Sequence, residues 1–146
     1  MLAARPLRPA EQAEVSGLLA PGLRRLFWDQ PDADQRHALE CARAVAAAAP
    51  GRPELVEAAL LHDVGKRRSG LGVVGRVVAS VLGMAGVARR GRVRAYLEHG
   101  PRGAAELAAA GAAPLTVAYA RHHHAATPPA GVDPADWAVL RAADGE

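Results

Sequence analysis

The sequence predicts a single all-α domain, and two features of its composition and one pattern indicate that fold class. Alanine supplies 35 of the 146 residues and favours helix. Isoleucine is absent and aromatic residues make up 3%, whereas sheet proteins are rich in β-branched and aromatic residues. Proline and glycine divide the chain into segments of helical length. Because this length suffices for one hydrophobic core and not for two, we expect one domain over residues 1–146.

The N-terminal part, residues 1–30, is predicted to be a helical extension. A short helix is expected over residues 9–20, because Pro21 and Gly22 follow and interrupt it. Residues 23–28 then form one or two further helical turns.

Two stronger helices follow this extension. Asp32 is expected to cap a long helix over residues 32–49, with Gln35 as its capping-box partner three positions later. The next helix covers residues 53–64, since a proline begins it and Gly65 ends it.

Three more helices are predicted in the C-terminal part. Residues 101–110 and 114–124 each begin at a proline, which suits the first turn of a helix. A proline-rich loop over residues 127–132 precedes the last helix, residues 134–144, which Asp133 is expected to cap.

Residues 67–97 differ from the rest of the chain, because they are rich in glycine. We expect an insertion or lid near the site. Within it, residues 71–94 carry paired valines and end in a group of arginines. Three interpretations compete: a helical hairpin of the core, a mobile lid, and a segment that contacts an anionic membrane surface.

The charge balance says little about a partner. Lysine and arginine exceed the acidic residues by three, and almost all of these cations are arginines. No zinc-finger spacing, basic heptad or aromatic-basic RNA motif accompanies them, so nucleic-acid binding is not indicated. A phosphate-bearing substrate is compatible with this balance. The oligomeric state is not predicted by any feature of the sequence.

Cysteine content and hydropathy indicate a cytoplasmic protein. Cys41 is the only cysteine, which excludes an internal disulfide and favours a reducing compartment. Residues 1–12 contain no apolar run after their arginines, so no signal peptide is expected. No stretch approaches the roughly 18–20 apolar residues of a membrane-spanning helix.

The clearest candidate for chemistry is the pair His62-Asp63. Ala59, Leu60 and Leu61 lead into this pair, which places it at the end of a helix that we expect to be buried. A buried carboxylate needs a cation or a proton to offset its desolvation. Because a histidine stands beside it, the pair indicates a metal site.

These residues carry a resemblance to a known superfamily. His37, the pair His62-Asp63 and the late Asp144 occur in the order of the HD-domain metal-dependent phosphohydrolases, and the run from His62 to Lys66 is similar to that superfamily's HD-x-G-K motif. The resemblance covers residues 34–144. It implies a helical HD domain in which His37, His62, Asp63 and Asp144 hold one metal ion.

The remaining histidines resemble those of a subgroup with two metals. His99 precedes one predicted helix, and the run from His122 to His124 closes the next. In dinuclear HD proteins such residues bind a second ion, which the Asp of the HD pair bridges to the first. The subgroup includes HD-GYP cyclic-dinucleotide phosphodiesterases, whose Gly-Tyr-Pro is missing here, and HD-type diadenosine tetraphosphate hydrolases, which this layout resembles more. Adjacent helical positions diverge by about 100°, so these three histidines cannot all face one ion. We rank His122 first, His123 second and His124 third as ligands.

Several of these residues have a simpler interpretation. One interpretation pairs His37 with Cys41 on a shared helix face, and another gives Cys41 a small buried apolar position. Asp144 lies near the C-terminus and fits a surface acid. Lys66, the only lysine, fits either a phosphate ligand or an exposed charge.

The ligand set predicts hydrolysis at phosphorus. Mixed histidine and carboxylate ligands suit Fe, Mn, Zn, Co or Ni, and one or two such ions would activate water for attack on a phosphoester or phosphoanhydride. Asp63 and Lys66 are the expected catalytic residues, with Lys66, Arg102 and Arg121 binding the phosphates of a substrate that we expect to be a nucleotide. Two alternatives remain, a dinuclear-iron oxygenase and a nucleotide-binding sensor without turnover.

Overall fold

The structure, a computed structural model, describes residues 5–69 and 99–145. Within these ranges it contains seven α-helices, one 3-10 helix and no strand, which confirms the predicted all-α class. In chain order the helices are α1 (Pro9–Leu18), α2 (Pro21–Trp28), α3 (Asp32–Ala48), α4 (Pro53–Leu61), the 3-10 helix (Val64–Ser69), α5 (His99–Ala109), α6 (Pro114–His122) and α7 (Pro134–Asp144).

Helix α4 lies at the centre of this helical bundle. It packs against α3 and α6 most extensively, and it also contacts α1, α2 and α7. Six of its nine residues are buried, from Leu55 and Val56 to Leu61. The last four residues of this helix are all apolar and buried, so the His62-Asp63 pair that follows α4 is held in the core.

The start of α3 differs from the prediction. Asp32 lies in the first turn of the helix instead of at its cap, because Pro31 occupies the cap position in an extended conformation and no side chain caps this end. Gln35 does not close a capping box: its amide donates hydrogen bonds to the backbone oxygens of Trp28 and Gln30, at 3.2 and 2.7 Å. Asp32 still contributes a negative charge where the helix dipole favours one.

Other boundaries shift by a few residues. Helix α4 ends at Leu61, and the chain continues into the 3-10 helix, so Gly65 lies within that helix instead of ending α4. Helix α5 already includes His99 and Gly100, ahead of the proline that was expected to begin it. The predicted cap of α7 is confirmed, since Asp133 Oδ1 accepts a hydrogen bond of 2.7 Å from the Ala135 amide.

Most of the glycine-rich insertion predicted over 67–97 lies outside the described residues, as does the arginine group at its end. The hairpin, lid and membrane-contact interpretations therefore stay predictions. None of the described helices is long and apolar enough to cross a membrane.

Three glycines allow α5 to approach its neighbours closely. A Cβ at Gly65 would overlap the carbonyl oxygen of His99, and one at Gly103 would lie 2.9 Å from the Gly65 nitrogen. A Cβ at Gly100 would lie 2.9 Å from the carbonyl oxygen of Arg121. These contacts leave no room for side chains, so the glycines let the start of α5 sit between the 3-10 helix and α6.

Candidate metal centre

His62 presents an unbonded ring nitrogen to two carboxylates. It follows the last residue of α4, and its Nδ1 donates a hydrogen bond of 2.8 Å to the carbonyl oxygen of Ala59. Because a carbonyl oxygen only accepts, Nδ1 carries the hydrogen and Nε2 offers its lone pair in the neutral ring. Nε2 lies 3.2 Å from Asp144 Oδ1 and 3.5 Å from Asp63 Oδ2. It is buried and has no hydrogen bond from any described residue.

The two carboxylate oxygens of Asp63 face different groups. Oδ2 accepts a hydrogen bond of 2.5 Å from Lys66 Nζ and lies on the His62 side. Oδ1 lies 3.4 Å from His123 Nε2 and 3.6 Å from His99 Nε2, and is buried without a hydrogen bond within the described part of the chain. A single carboxylate is thus shared between two sets of ring nitrogens.

His123 repeats the arrangement of His62. It follows the last residue of α6, and its Nδ1 donates to the carbonyl oxygen of Ala120 at 3.2 Å. Its Nε2 lies 3.4 Å from His99 Nε2. Both histidines use a carbonyl left open at a helix C-terminus to fix their ring orientation, as metal-binding histidines commonly do through their second nitrogen.

His37 and Asp144 meet where α3 and α7 pack together. His37 Nε2 donates a hydrogen bond of 2.8 Å to Asp144 Oδ1, the same oxygen that faces His62. Cys41 Sγ lies 3.6 Å from His37 Nε2 and is buried. Asp144 is therefore placed in the cluster although it lies one residue before the end of the described chain.

The charges of this cluster stabilise one another. Burial raises the pKa of Asp63, but His62, His123 and Lys66 outweigh burial and hold that pKa well below its usual range. Burial lowers the pKa of His62, and Asp63 and Asp144 together reverse that effect. For His123 burial dominates and the pKa falls, which favours the neutral ring that binds metal.

The residues fit a metal centre. Two buried atoms, His62 Nε2 and Asp63 Oδ1, lack hydrogen bonds from the described residues, and leaving such atoms unpaired costs about 1–3 kcal/mol each. Neutral ring nitrogens that point at one another or at carboxylates repel unless a proton or a cation lies between them. Three sets of side chains place potential ligand atoms within 4.8 Å of one another: His37, His62 and Asp63; His37, Cys41 and Asp144; and His99, His123 and His124.

The structure brings together most of the predicted site residues. His37, His62, Asp63, Lys66, His99, His123 and Asp144 lie in one linked cluster.

His122, ranked above His123 as a ligand, does not join that cluster, whereas His123 does. Helix α6 ends at His122, whose side chain is exposed and lines a groove with Arg121 and Pro129. One residue later the chain has rotated, and His123 faces the core. Arg102 and Arg121 are exposed on α5 and α6, and their phosphate-binding role stays a prediction.

Two neighbours of the cluster received little weight in the sequence prediction. Cys41 is close to His37, as its spacing of four residues indicated. It also belongs to the apolar core, so it lies at the border between the core and the polar cluster. His124, ranked last, lies with its ring centroid 5.5 Å from that of His99.

Comparison with known proteins adds no relative: the chain matches no protein-family model, no curated protein and no solved structure. The resemblance of residues 34–144 to HD domains therefore stays a prediction from the sequence.

The pair of His37 and Asp144 predicts how stability changes with pH in the metal-free protein. Hydrogen bonds to Asp144 and Cys41 raise the pKa of His37 to about 10, from 6.5 in an unfolded chain. The folded state then binds more protons than the unfolded state between these values, so the free energy of unfolding should fall as pH rises from 6.5 to 10. Urea unfolding in chelator at several pH values measures this slope. His37→Ala should make it shallower, and an unchanged slope would contradict the pairing.

Proposed function

We propose that this protein is a metal-dependent phosphohydrolase that cleaves a phosphoester or phosphoanhydride, with a nucleotide as the favoured substrate class. The observation that carries the proposal is the position of Asp63, whose two oxygens face two separate groups of ring nitrogens. A carboxylate in that position is suited to bridge two metal ions, and two-metal sites are typical of phosphoryl hydrolysis.

The side chains divide into two ligand groups that share Asp63. On the Oδ2 side stand His37, His62 and Asp144, and on the Oδ1 side stand His99 and His123. Ring nitrogens and carboxylate oxygens together suit Fe, Mn, Zn, Co or Ni. Bound divalent ions would supply Lewis acidity toward a phosphate oxygen and a water of lowered pKa.

The chain's own residues prepare the site for that chemistry. The carbonyl oxygens of Ala59 and Ala120 fix the ring orientation of His62 and His123, so these ligands need little reorganisation when they bind. The burial of Asp63 excludes bulk water from the carboxylate and strengthens its interactions with cations.

The position of Lys66 supports a role in binding a phosphate oxygen beside Asp63. Its amide donates to the Asp63 carbonyl at 2.9 Å, so one turn of the 3-10 helix joins the two residues. Its side chain is 17% exposed, in contrast to 4% for Asp63, so the ammonium lies nearer the surface than the carboxylate. From there it neutralises charge on a phosphate that approaches from solvent.

Replacing Lys66 should separate phosphate binding from metal binding. Lys66→Ala should retain near wild-type metal content, because an ammonium does not ligate a cation. Turnover should fall by about 100-fold, on the order of 3 kcal/mol, if Lys66 contacts charge that develops in the transition state. Lys66→Arg keeps the charge in a planar group and should retain part of the activity. Metal analysis and steady-state kinetics measure both effects, and full activity of Lys66→Ala on every hydrolysed substrate would contradict this role.

The proposed function is tested by a substrate screen on metal-loaded protein. Protein reconstituted separately with each of the five metals is incubated with nucleotides and dinucleoside polyphosphates, and phosphate or nucleotide products are measured with and without oxygen. We expect hydrolysis that does not depend on oxygen. Turnover that strictly requires oxygen and an Fe(II)/Fe(III) pair would indicate an oxygenase instead. Tight nucleotide binding without turnover across all five metals would indicate a sensor.

A further inference from the structure

The contact between α3 and α7 contains a thiol that the proposed ligand groups leave out. Cys41 Sγ lies 3.6 Å from His37 Nε2 and 3.8 Å from His37 Nδ1. Potential ligand atoms of His37, Cys41 and Asp144 all lie within 4.8 Å of one another. The three side chains thus form a compact set of nitrogen, sulfur and oxygen donors.

Cys41 and His37 come from one face of one helix. A spacing of four residues on a helix places two side chains side by side, and zinc proteins use the same spacing to supply two ligands from one helix. Cys41 is 3% exposed, and its sulfur lies beside the ring of a polar residue. The buried positions on either side of it in the helix, Ala38 and Ala42, carry no donor atom in their side chains.

A second observation, independent of the cysteine, is a buried ring nitrogen without a hydrogen bond from the described residues beside this set. His62 is 1% exposed, and its Nε2, which has no hydrogen bond from the described residues, lies 3.2 Å from Asp144 Oδ1. That oxygen is the one that accepts the hydrogen bond from His37. The unpaired nitrogen of His62 is therefore aimed at the carboxylate of the cluster that contains Cys41.

We propose that Cys41 is a sulfur ligand of the metal held on the Oδ2 side of Asp63, an inference that rests on the proposed metal centre. Binding replaces the thiol proton with a bond from sulfur to the divalent cation, and the proton is released to solvent. A thiolate favours zinc, cobalt and iron over manganese and magnesium. Cys41 thus narrows the metals that this position selects.

Cobalt absorption tests the sulfur ligand without any need for activity. The full-length protein is loaded with Co²⁺ in the presence of a phosphine reductant, so that no added thiol binds the metal. Visible ligand-field bands report cobalt at the histidine and carboxylate ligands, and a near-ultraviolet charge-transfer band reports a sulfur ligand. Because Cys41 is the only cysteine of this sequence, a charge-transfer band of thiolate type is assigned to it.

We expect both kinds of band in the wild type, loss of the charge-transfer band in Cys41→Ser, and retention of both in the control His122→Ala. Visible bands without a charge-transfer band in the wild type would overturn the role of Cys41 and leave the metal centre standing. Absence of both bands would overturn both. The wild-type spectrum is decisive even if Cys41→Ser fails to fold.

Metal preference gives a second readout. Competition dialysis measures the preference for Zn²⁺ over Mn²⁺, which should be lower in Cys41→Ser than in the wild type. Loss of a side chain that only supports a ligand typically lowers metal affinity by roughly 10–100-fold, and we expect loss of the sulfur ligand to lower the Zn²⁺ preference by at least that factor. An unchanged preference in folded Cys41→Ser would overturn the proposal.

Discussion

Asp63→Ala is expected to lose both bound metal and turnover, the largest effect that we predict for any single substitution. Asp63 is the one side chain within 3.6 Å of ring nitrogens on both sides of the described centre. Without the Asp63 carboxylate, both ligand groups lose the negative charge that they share. Metal analysis after dialysis, together with assays on a substrate that the wild type cleaves, measures the loss.

Two further variants keep this result interpretable. Asp63→Asn preserves the shape of the side chain and removes its charge, so it should also lose metal. His122→Ala is a matched control, because His122 belongs to none of the convergent ligand groups found among the described residues. It should retain wild-type metal content and activity. Folding of each variant is checked by circular dichroism in chelator, and a folded Asp63→Ala that keeps its full metal content would refute the bridging role.

Gly65→Ala is expected to disrupt the second ligand group and to lower stability. The added methyl would overlap the carbonyl oxygen of His99, so the start of α5 must move away from the 3-10 helix. Overpacking of this kind typically costs about 1–3 kcal/mol. The same movement carries His99 away from Asp63 Oδ1, so metal bound on that side should be weakened more than metal bound at His62. Urea unfolding and metal titration measure the two effects.

Gly17→Ala provides the comparison. Gly17 is exposed in α1, and apart from its chain neighbours and the backbone of its own helix no described atom lies within 4 Å of a Cβ built there. Because alanine fits a helical backbone and has fewer conformations than glycine in the unfolded chain, this variant should gain about 0.4–1 kcal/mol of stability and leave metal binding unchanged. Equal stability and metal affinity in both alanine variants would show that the close approach of α5 does not position His99.

The central part of the fold followed from the sequence because its signals are local. An apolar stretch that begins at a proline predicted a buried α4, and the His62-Asp63 pair at its end was expected to lie in the core, as observed. The cap of the last helix depended on one aspartate, Asp133, and the structure bears it out.

Which C-terminal histidine enters the core did not follow from the sequence. Three consecutive histidines differ only by rotation about the helix, and the choice depends on the residue at which α6 ends and on its packing against α4 and α5. The close contacts of Gly100 and Gly103 could not be predicted for a similar reason, since the residues that they approach, Arg121 and Gly65, are distant in sequence. Caps such as Pro31 depend on the backbone conformation before the helix, which the residue type alone does not fix.

The most direct test of the proposed centre is anomalous X-ray scattering from crystals of the wild-type protein grown with a saturating divalent transition metal. We predict two anomalous peaks on opposite sides of the Asp63 carboxylate, about 3.5–4 Å apart. One peak should lie beside His62 and Asp144, and the other beside His99 and His123. A single peak on one side would contradict the bridging role of Asp63, and the absence of any peak near Asp63 would contradict the metal centre itself.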